Sequence, residues 1–312
     1  MNVIEGIEQL QKTLPGAVVT VGTFDGVHIG HKAVLREVHR RALRKGGTSV
    51  VVTFEPHPQA IVAPETTPML LTTRGEKLSI FAEEDIHCTV VLAFTPEIAR
   101  MEAREFVHEV LLSRIGVKEL VIGYDHAFGR RRLGHLETLR ALSQELGFVV
   151  DLVSSVQVDG APVSSTRIRR LIEDGQIAEA NCLLGRFYSL GGRVVQGHTR
   201  GRALGFPTAN LRIAQPRKLI PGDGVYAVWV HLGTVRYQGV MNIGIRPTFG
   251  SGSRTVEIHV LHFKGDLYDR HLRVEVVARL RDEQRFKNGE ALREQLQVDL
   301  HQAEQVLSAS EK

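Results

Sequence analysis

Gly22-Thr23-Phe24-Asp25-Gly26-Val27-His28-Ile29-Gly30-His31 decides how the first half of the chain is read. The apolar run Ala17–Phe24 leads into it and the basic, helix-forming stretch Lys32–Lys45 follows. The decapeptide therefore sits at a strand–turn–helix junction. Gly26 and Gly30 permit close approach to the backbone. The helix beyond them offers free N–H groups and a positive dipole end, and His28 and His31 lie one helical turn apart. Together these features can hold a triphosphate. Two histidines at this spacing are also able to bind a metal, or only to cap and pack the helix, and the spacing alone does not choose.

Outward from this junction, short β-branched runs recur at Ser49–Phe54, Thr89–Phe94, Leu120–Tyr124 and Phe148–Val153. Helix-like stretches fall at Lys32–Lys45, Gly75–Glu84, Ala103–Ile115 and Leu136–Leu146. The alternation predicts an α/β domain with a doubly wound parallel sheet. Ligands of such sheets bind beyond the carboxyl ends of the strands, so the loops after Phe24, Phe54 and Tyr124 are expected to line one cleft. The hexapeptide Ser164-Ser165-Thr166-Arg167-Ile168-Arg169 then opens another helix. Hydroxyls and guanidinium groups there can bind phosphate, or the segment is a plain helix cap with exposed arginines.

After about Leu184 the texture changes. Glycine-punctuated runs at Gly224–His231, Val235–Asn242, Thr255–His262 and Leu272–Ala278 predict a small closed antiparallel barrel. Leu232-Gly233-Thr234 and Lys264-Gly265-Asp266 are hairpin candidates. Leu292, Leu296, Leu300, Ala303 and Leu307 recur at helical spacing and predict a terminal amphipathic helix. Val256, Ile258, Val260 and His262 alternate with Glu257, His259 and Leu261, which puts Glu257 on the strand face opposite the aliphatic positions. Domains are expected at 1–184 and 185–312.

Composition agrees with two ordinary globular cores: 312 residues, 43% hydrophobic and 24% charged, with Gly and Pro spread along the chain. A net charge of +4 and a pI near 9.2 suit anionic ligands but fall short of a dedicated nucleic-acid binder. The basic stretch Arg36–Lys45 reads as a solvated helix face, whereas Arg130-Arg131-Arg132, after a strand and a glycine, is placed to meet phosphate. Cys88 and Cys182 form no metal-binding or disulfide pattern. With no signal segment or membrane-length apolar run, a cytoplasmic protein is expected.

Resemblance sharpens this reading. The decapeptide resembles the HxGH motif of nucleotidyltransferases. That implies that His28 and His31 meet ATP phosphates and stabilise charge as pyrophosphate departs, with Gly22, Phe24, Asp25, Gly26 and Gly30 around the nucleotide. Ser164, Ser165, Thr166 and Arg169 resemble that superfamily's second phosphate-binding motif. Gly123-Tyr124-Asp125-His126-Ala127-Phe128-Gly129 resembles its third element, with unusual residues at His126 and Ala127. Gly201-Arg202-Ala203-Leu204-Gly205-Phe206-Pro207-Thr208-Ala209-Asn210 resembles the riboflavin kinase signature. It implies that Gly201, Gly205, Thr208 and Asn210 bind ATP phosphates, that Thr208 and Asn210 hold magnesium, and that Glu257 is the base. Leu280–Lys287 resembles the region near the flavin, where no individual flavin-binding residue is assigned.

The two modules, in this order, resemble the bifunctional bacterial riboflavin kinase/FAD synthetase family over nearly the whole chain. The resemblance implies phosphorylation of riboflavin to FMN by ATP, then adenylylation of FMN to FAD with release of pyrophosphate. Mg2+ with ATP as co-substrate is implied, no tightly bound cofactor is required, and riboflavin, FMN and ATP are the partners, with neither nucleic acid nor membrane. Two competitors remain open. One is an adenylyltransferase for another phosphomonoester whose barrel only binds flavin, against which Pro-Thr-Ala-Asn and Glu257 argue. The other is a non-catalytic RNA-binding or flavin-storage protein, against which the absence of aromatic stacking motifs beside the basic runs argues.

Overall fold

A computed structural model describes residues 1–124, 136–196, 205–245 and 254–310. Gly201, the Arg130–Arg132 run and the Asp125–Gly129 part of the third motif lie outside the described residues. The chain divides into two compact units, Met1–Ser165 and Thr166–Lys312.

The first unit is built on β1 (Asn2–Glu5), β2 (Ala17–Val21), β3 (Ser49–Glu55), β4 (Cys88–Ala93), β5 (Val117–Gly123) and β6 (Val149–Val153). All pair in parallel, in the order β1-β4-β3-β2-β5-β6. The helices Ile29–Arg44 and Arg74–Glu83 place Val34, Leu35, Val38, Ile80 and Phe81 on one face, against Val18, Val51 and Val121. On the other face Phe106, Val110, Leu111, Leu139 and Leu142 cover Val19, Val50, Val52 and Leu120. The sheet is thus doubly wound, as the alternation of strands and helices predicts. From β2 the chain builds outward through β3 to β4, then crosses to β5 and β6, so strand order reverses beside β2. Three local readings change. The first strand ends at Val21 rather than Phe24. The next helix starts at Ile29 rather than Lys32. The stretch Ala103–Ile115 is helical from Ala103 but winds as a π-helix over Val107–Ile115. A short ribbon of β7 (Gln157–Val158) and β8 (Ala161–Pro162) precedes the helix Ser165–Glu173.

In the second unit β9 (Tyr188–Val195), β10 (Ala209–Ile213), β11 (Gly224–Leu232), β12 (Val235–Ile245), β13 (Arg254–Val260) and β14 (His271–Arg281) close a barrel in the order β10-β13-β12-β11-β14-β9, entirely antiparallel. Tyr226, Val228, Met241, Ile258, Leu272, Val274 and Val276 fill it. Leu232 pairs Val235, so Gly233-Thr234 is the tight hairpin turn expected there. Lys264-Gly265-Asp266 is not one. β13 pairs β10 and β12, while β14 pairs β9 and β11, so residues 261–270 join strands that are not neighbours. Turn-forming residues fix a change of direction, not a partner.

The helix Ile177–Leu184 belongs to this unit. Asn181 Nδ2 donates to the carbonyls of Val276 (2.9 Å) and Val277 (3.2 Å), and its Oδ1 accepts from Tyr188 N at 2.7 Å. The sequence reading puts the boundary at Leu184, whereas the backbone contacts divide at Ser165. Outside the barrel the helix Gly289–Ser310 lays Ala303 and Leu307 on Val225, Ala227, Trp229 and Val240. Its Asp299 is wholly buried and receives both arms of Arg281, at 2.8 Å each, and Gln295 Nε2 at 2.9 Å.

Removing one member of a buried ion pair strands the other, at a cost of about 3–5 kcal/mol. Asp299→Ala should lower the urea midpoint of the barrel by a corresponding amount. The single tryptophan, Trp229, sits under this helix and reports the transition by fluorescence. An unchanged midpoint would show that the pair does not fasten the helix.

Candidate active sites

The loop after β2 is held in an unfavourable backbone conformation. Phe24, Gly26 and Val27 have φ of 49°, 83° and 36°. For β-branched Val27 this is a strained position that only its surroundings can maintain. Those surroundings centre on Asp25, 4% exposed. Its carboxylate accepts from Leu71 N (3.0 and 3.1 Å), Thr72 N (3.0 Å) and Thr72 Oγ1 (3.2 Å), and the same hydroxyl accepts from Gly26 N at 3.0 Å. Asp25 thus ties the loop to a segment 46 residues away, turned toward Leu71 and Thr72. A Cβ on Gly26 would come within 2.7 Å of Leu71 Cδ1.

His28 caps the helix Ile29–Arg44, its Nδ1 accepting from His31 N at 3.3 Å. A neutral His28 ring therefore carries its proton on Nε2. The His28 and His31 rings stack at 3.7 Å, and a Cβ on Gly30 would lie 3.2 Å from the His28 ring, so the glycine between them makes room for the stack. Phe24 meets His31 edge-on at 5.2 Å and Phe81 at 5.6 Å. Gly22 lies at the end of β2, its N–H bonded to Val52 O. Ser165 Oγ donates to Asp25 O at 2.8 Å, which joins the second predicted motif to this loop, with Ser164 next to it. Thr166 and Arg169 follow in the helix Ser165–Glu173, beyond the division between the units.

One residue here escaped sequence reasoning. Lys77 is buried, and its Nζ donates to Thr23 O (3.2 Å) and Thr53 Oγ1 (3.1 Å) at the carboxyl ends of β2 and β3. Burial pushes its ammonium below the ordinary lysine value, opposed by the charges of Glu55 and Asp25. No motif flags it, because in sequence it is one lysine on a helix.

In the barrel, Asn210 on β10 and Glu257 on β13 are directly paired, and Thr208 Oγ1 donates to Glu257 Oε2 at 3.3 Å. Gly205 begins this segment at φ 88°. Val256, Ile258 and Val260 turn inward while Glu257 and His259 face out, as the alternation predicts. His259 Nδ1 lies 2.8 Å from Pro207 O and its ring packs on Phe206, bracing the Pro-Thr-Ala-Asn segment. Glu257 and Thr208 open onto a cavity of about 280 Å³ whose far wall is Val225, Val240, Phe286, Leu292, Leu296 and Leu300. The site therefore has a polar end with a carboxylate and a hydroxyl, and an apolar end able to take a flat ring.

Comparison with known proteins finds two families in succession: FAD synthetase over residues 10–167 and riboflavin kinase over residues 184–307. The bifunctional riboflavin kinase/FMN adenylyltransferase of Pseudomonas fluorescens is 38% identical over 99% of both chains. The protein of the same name from Escherichia coli K12 is 36% identical over 96% of both. A solved Streptococcus pneumoniae structure described as a macrolide-efflux protein superimposes with a TM-score of 0.88 at 29% identity, covering 96% of this chain and 98% of that one. Efflux is said of that protein alone; among the described residues no helix here is long and apolar enough to cross a membrane. With both families matched in order and full-length relatives of one name, the chain belongs to the bifunctional riboflavin kinase/FMN adenylyltransferase family.

Proposed function

We propose that the two activities of the family, riboflavin phosphorylation and FMN adenylylation, run at two separate centres: the barrel around Glu257 and the loop around His28 and His31. Functional boundaries of 1–184 and 185–312 follow, with 166–184 packed in the barrel unit but preceding its first strand. The observation that carries the reading is that Glu257, paired with Asn210 and bonded by Thr208, opens together with Thr208 onto one largely apolar cavity.

In the kinase step the isoalloxazine ring of riboflavin occupies the apolar end, against Leu292, Leu296 and Phe286, and the ribityl chain runs toward Glu257. The 5′-hydroxyl is a poor nucleophile until its proton leaves. Glu257 accepts that proton as the oxygen attacks the γ-phosphorus of ATP, and ADP departs. The Thr208 hydroxyl and Asn210 amide are oxygen donors of the kind that suits a magnesium ion shared with phosphate, and Gly201 and Gly205 flank the same segment. Such an ion, when bound, neutralises phosphate charge. Thr208 also orients the Glu257 carboxylate through its hydrogen bond.

In the adenylyl step the nucleophile is the already ionised phosphate of FMN, so alignment and charge stabilisation dominate. The phosphate oxygen attacks the α-phosphorus of a second ATP, and the bond to pyrophosphate breaks. His28 Nε2–H, His31 and the positive end of the helix Ile29–Arg44 receive the departing charge. Gly22, Phe24, Gly26 and Gly30 shape the nucleotide's bed, and Ser164 and Ser165 adjoin it. Asp25 is assigned a positioning role through Leu71 and Thr72. Thr166 and Arg169 are assigned phosphate contacts on the resemblance alone. A cytoplasmic location is proposed from the use of ATP and two free cysteines, with neither nucleic acid nor membrane as partner.

Purified protein given riboflavin, ATP and magnesium should form FMN and then FAD on a chromatographic time course. Glu257→Gln should cut FMN formation by about 10²–10⁴-fold while FAD formation from supplied FMN persists, because a general base contributes on that scale. Equal loss of both in a folded variant would sink the two-centre reading. Asp25→Ala should do the reverse. It strands the Leu71 and Thr72 amides, at about 1–3 kcal/mol each, and releases the strained loop, so FAD formation falls at least tenfold with kinase turnover unchanged. Normal FAD formation in that variant would show that the loop holds its shape without the carboxylate.

A further inference from the structure

Of the polar side chains that line the kinase cavity and that the steps above leave unused, Asn242 is the one paired in register with Glu257. Asn242 stands directly across from Glu257 in the β12–β13 register and directly across from Val225 in the β11–β12 register. Directly paired residues of antiparallel strands project from the same face. Glu257, Asn242 and Val225 therefore form a row leading from the base to the apolar wall, and all three line the cavity.

Of the other polar groups that line the cavity, Thr208 bonds Glu257, His259 meets Pro207 O and Arg281 pairs with Asp299, while Glu283 and Gln284 come from the segment after β14 and not from this row. The Asn242 side chain is half-buried and, among the described residues, has no hydrogen-bonding partner. A primary amide offers two donors and an acceptor, and leaving them unmade beside an apolar wall is costly. Its position supplies a reason. With the terminal ribityl hydroxyl at Glu257 and the ring against Leu292 and Leu296, the part of the substrate crossing Asn242 is the stretch of secondary hydroxyls between them. A hydroxyl both donates and accepts, and an amide answers both.

We propose that Asn242 binds a secondary hydroxyl of the ribityl chain and makes the kinase selective for flavins that carry the full polyol. The proposal rests on the assignment of this cavity to riboflavin.

The test is kinase kcat/KM for riboflavin and for analogues lacking one ribityl hydroxyl at a time, measured with the wild-type chain and Asn242→Leu. Adenylylation of supplied FMN and the Trp229 unfolding transition check that each variant is intact. Asn242→Ala replaces leucine should the larger side chain disturb the wall. On wild type, one deoxy analogue should lose about 3- to 10-fold, the worth of one neutral hydrogen bond. The variant should lose a similar factor on riboflavin and nothing further on that same analogue. Equal variant penalties on riboflavin and every analogue, or no penalty at all, overturn the role of Asn242. A separate substitution, Leu296→Trp, fills the apolar end. A wild-type riboflavin KM in that variant would overturn the cavity assignment itself, whereas a raised KM without coupling at Asn242 removes only the present proposal.

Discussion

The adenylyl-transfer half depends on one buried carboxylate finding its donors. Asp25 sits at the tip of a turn whose backbone would relax if left alone, with Val27 at a φ of 36°. An unpartnered carboxylate in the interior is too costly to persist. Leu71 and Thr72 supply the donors, and they directly precede the capping box formed by Thr73 and Glu76, which starts the helix Arg74–Glu83. Helix start and ligand loop are therefore one piece of construction. The same helix sends Lys77 to Thr23 and Thr53, so the start of the loop is tied to this helix a second time.

The kinase half solves its positioning problem by strand register. Asn210, Asn242 and Glu257 come from three strands whose pairing brings them into one row, and Thr208 directly precedes the first of these strands. The Arg281–Asp299 pair then holds the terminal helix beside that row, so that helix and barrel wall together line one cavity. The two halves differ as their chemistries do. A phosphate nucleophile asks for positive charge at a helix start, and an alcohol nucleophile asks for a fixed carboxylate.

Much of this was legible in the sequence where the signal is local. The apolar runs of β2 to β6, the alternation around Glu257 and the leucine spacing of the last helix each carry their own period, and the motifs at Gly22–His31 and Pro207–Asn210 sit where the fold needs them. Partners distant in sequence were not legible. β1 is a four-residue strand that, among the described residues, pairs with β4 alone. β9 carries Gly191 and Gly192, which blur its pattern. Lys264–Asp266 has turn composition but joins strands that never meet. Leu71, Thr72, Lys77 and Asn242 matter because of what the fold brings beside them, and no window of sequence contains both members of those pairs.

β13 is hydrogen-bonded along both edges, to β10 and to β12. In such a strand a shift by a single residue turns every side chain over. Insertion or deletion of one residue there would send Glu257 into the packed interior and bring an aliphatic side chain out in its place. Descendants of this sequence are thus held to the strand's length as well as to the alternation it carries. Changes of chain length are left to the connections at its ends, where an added residue alters a loop and leaves Glu257 facing the cavity.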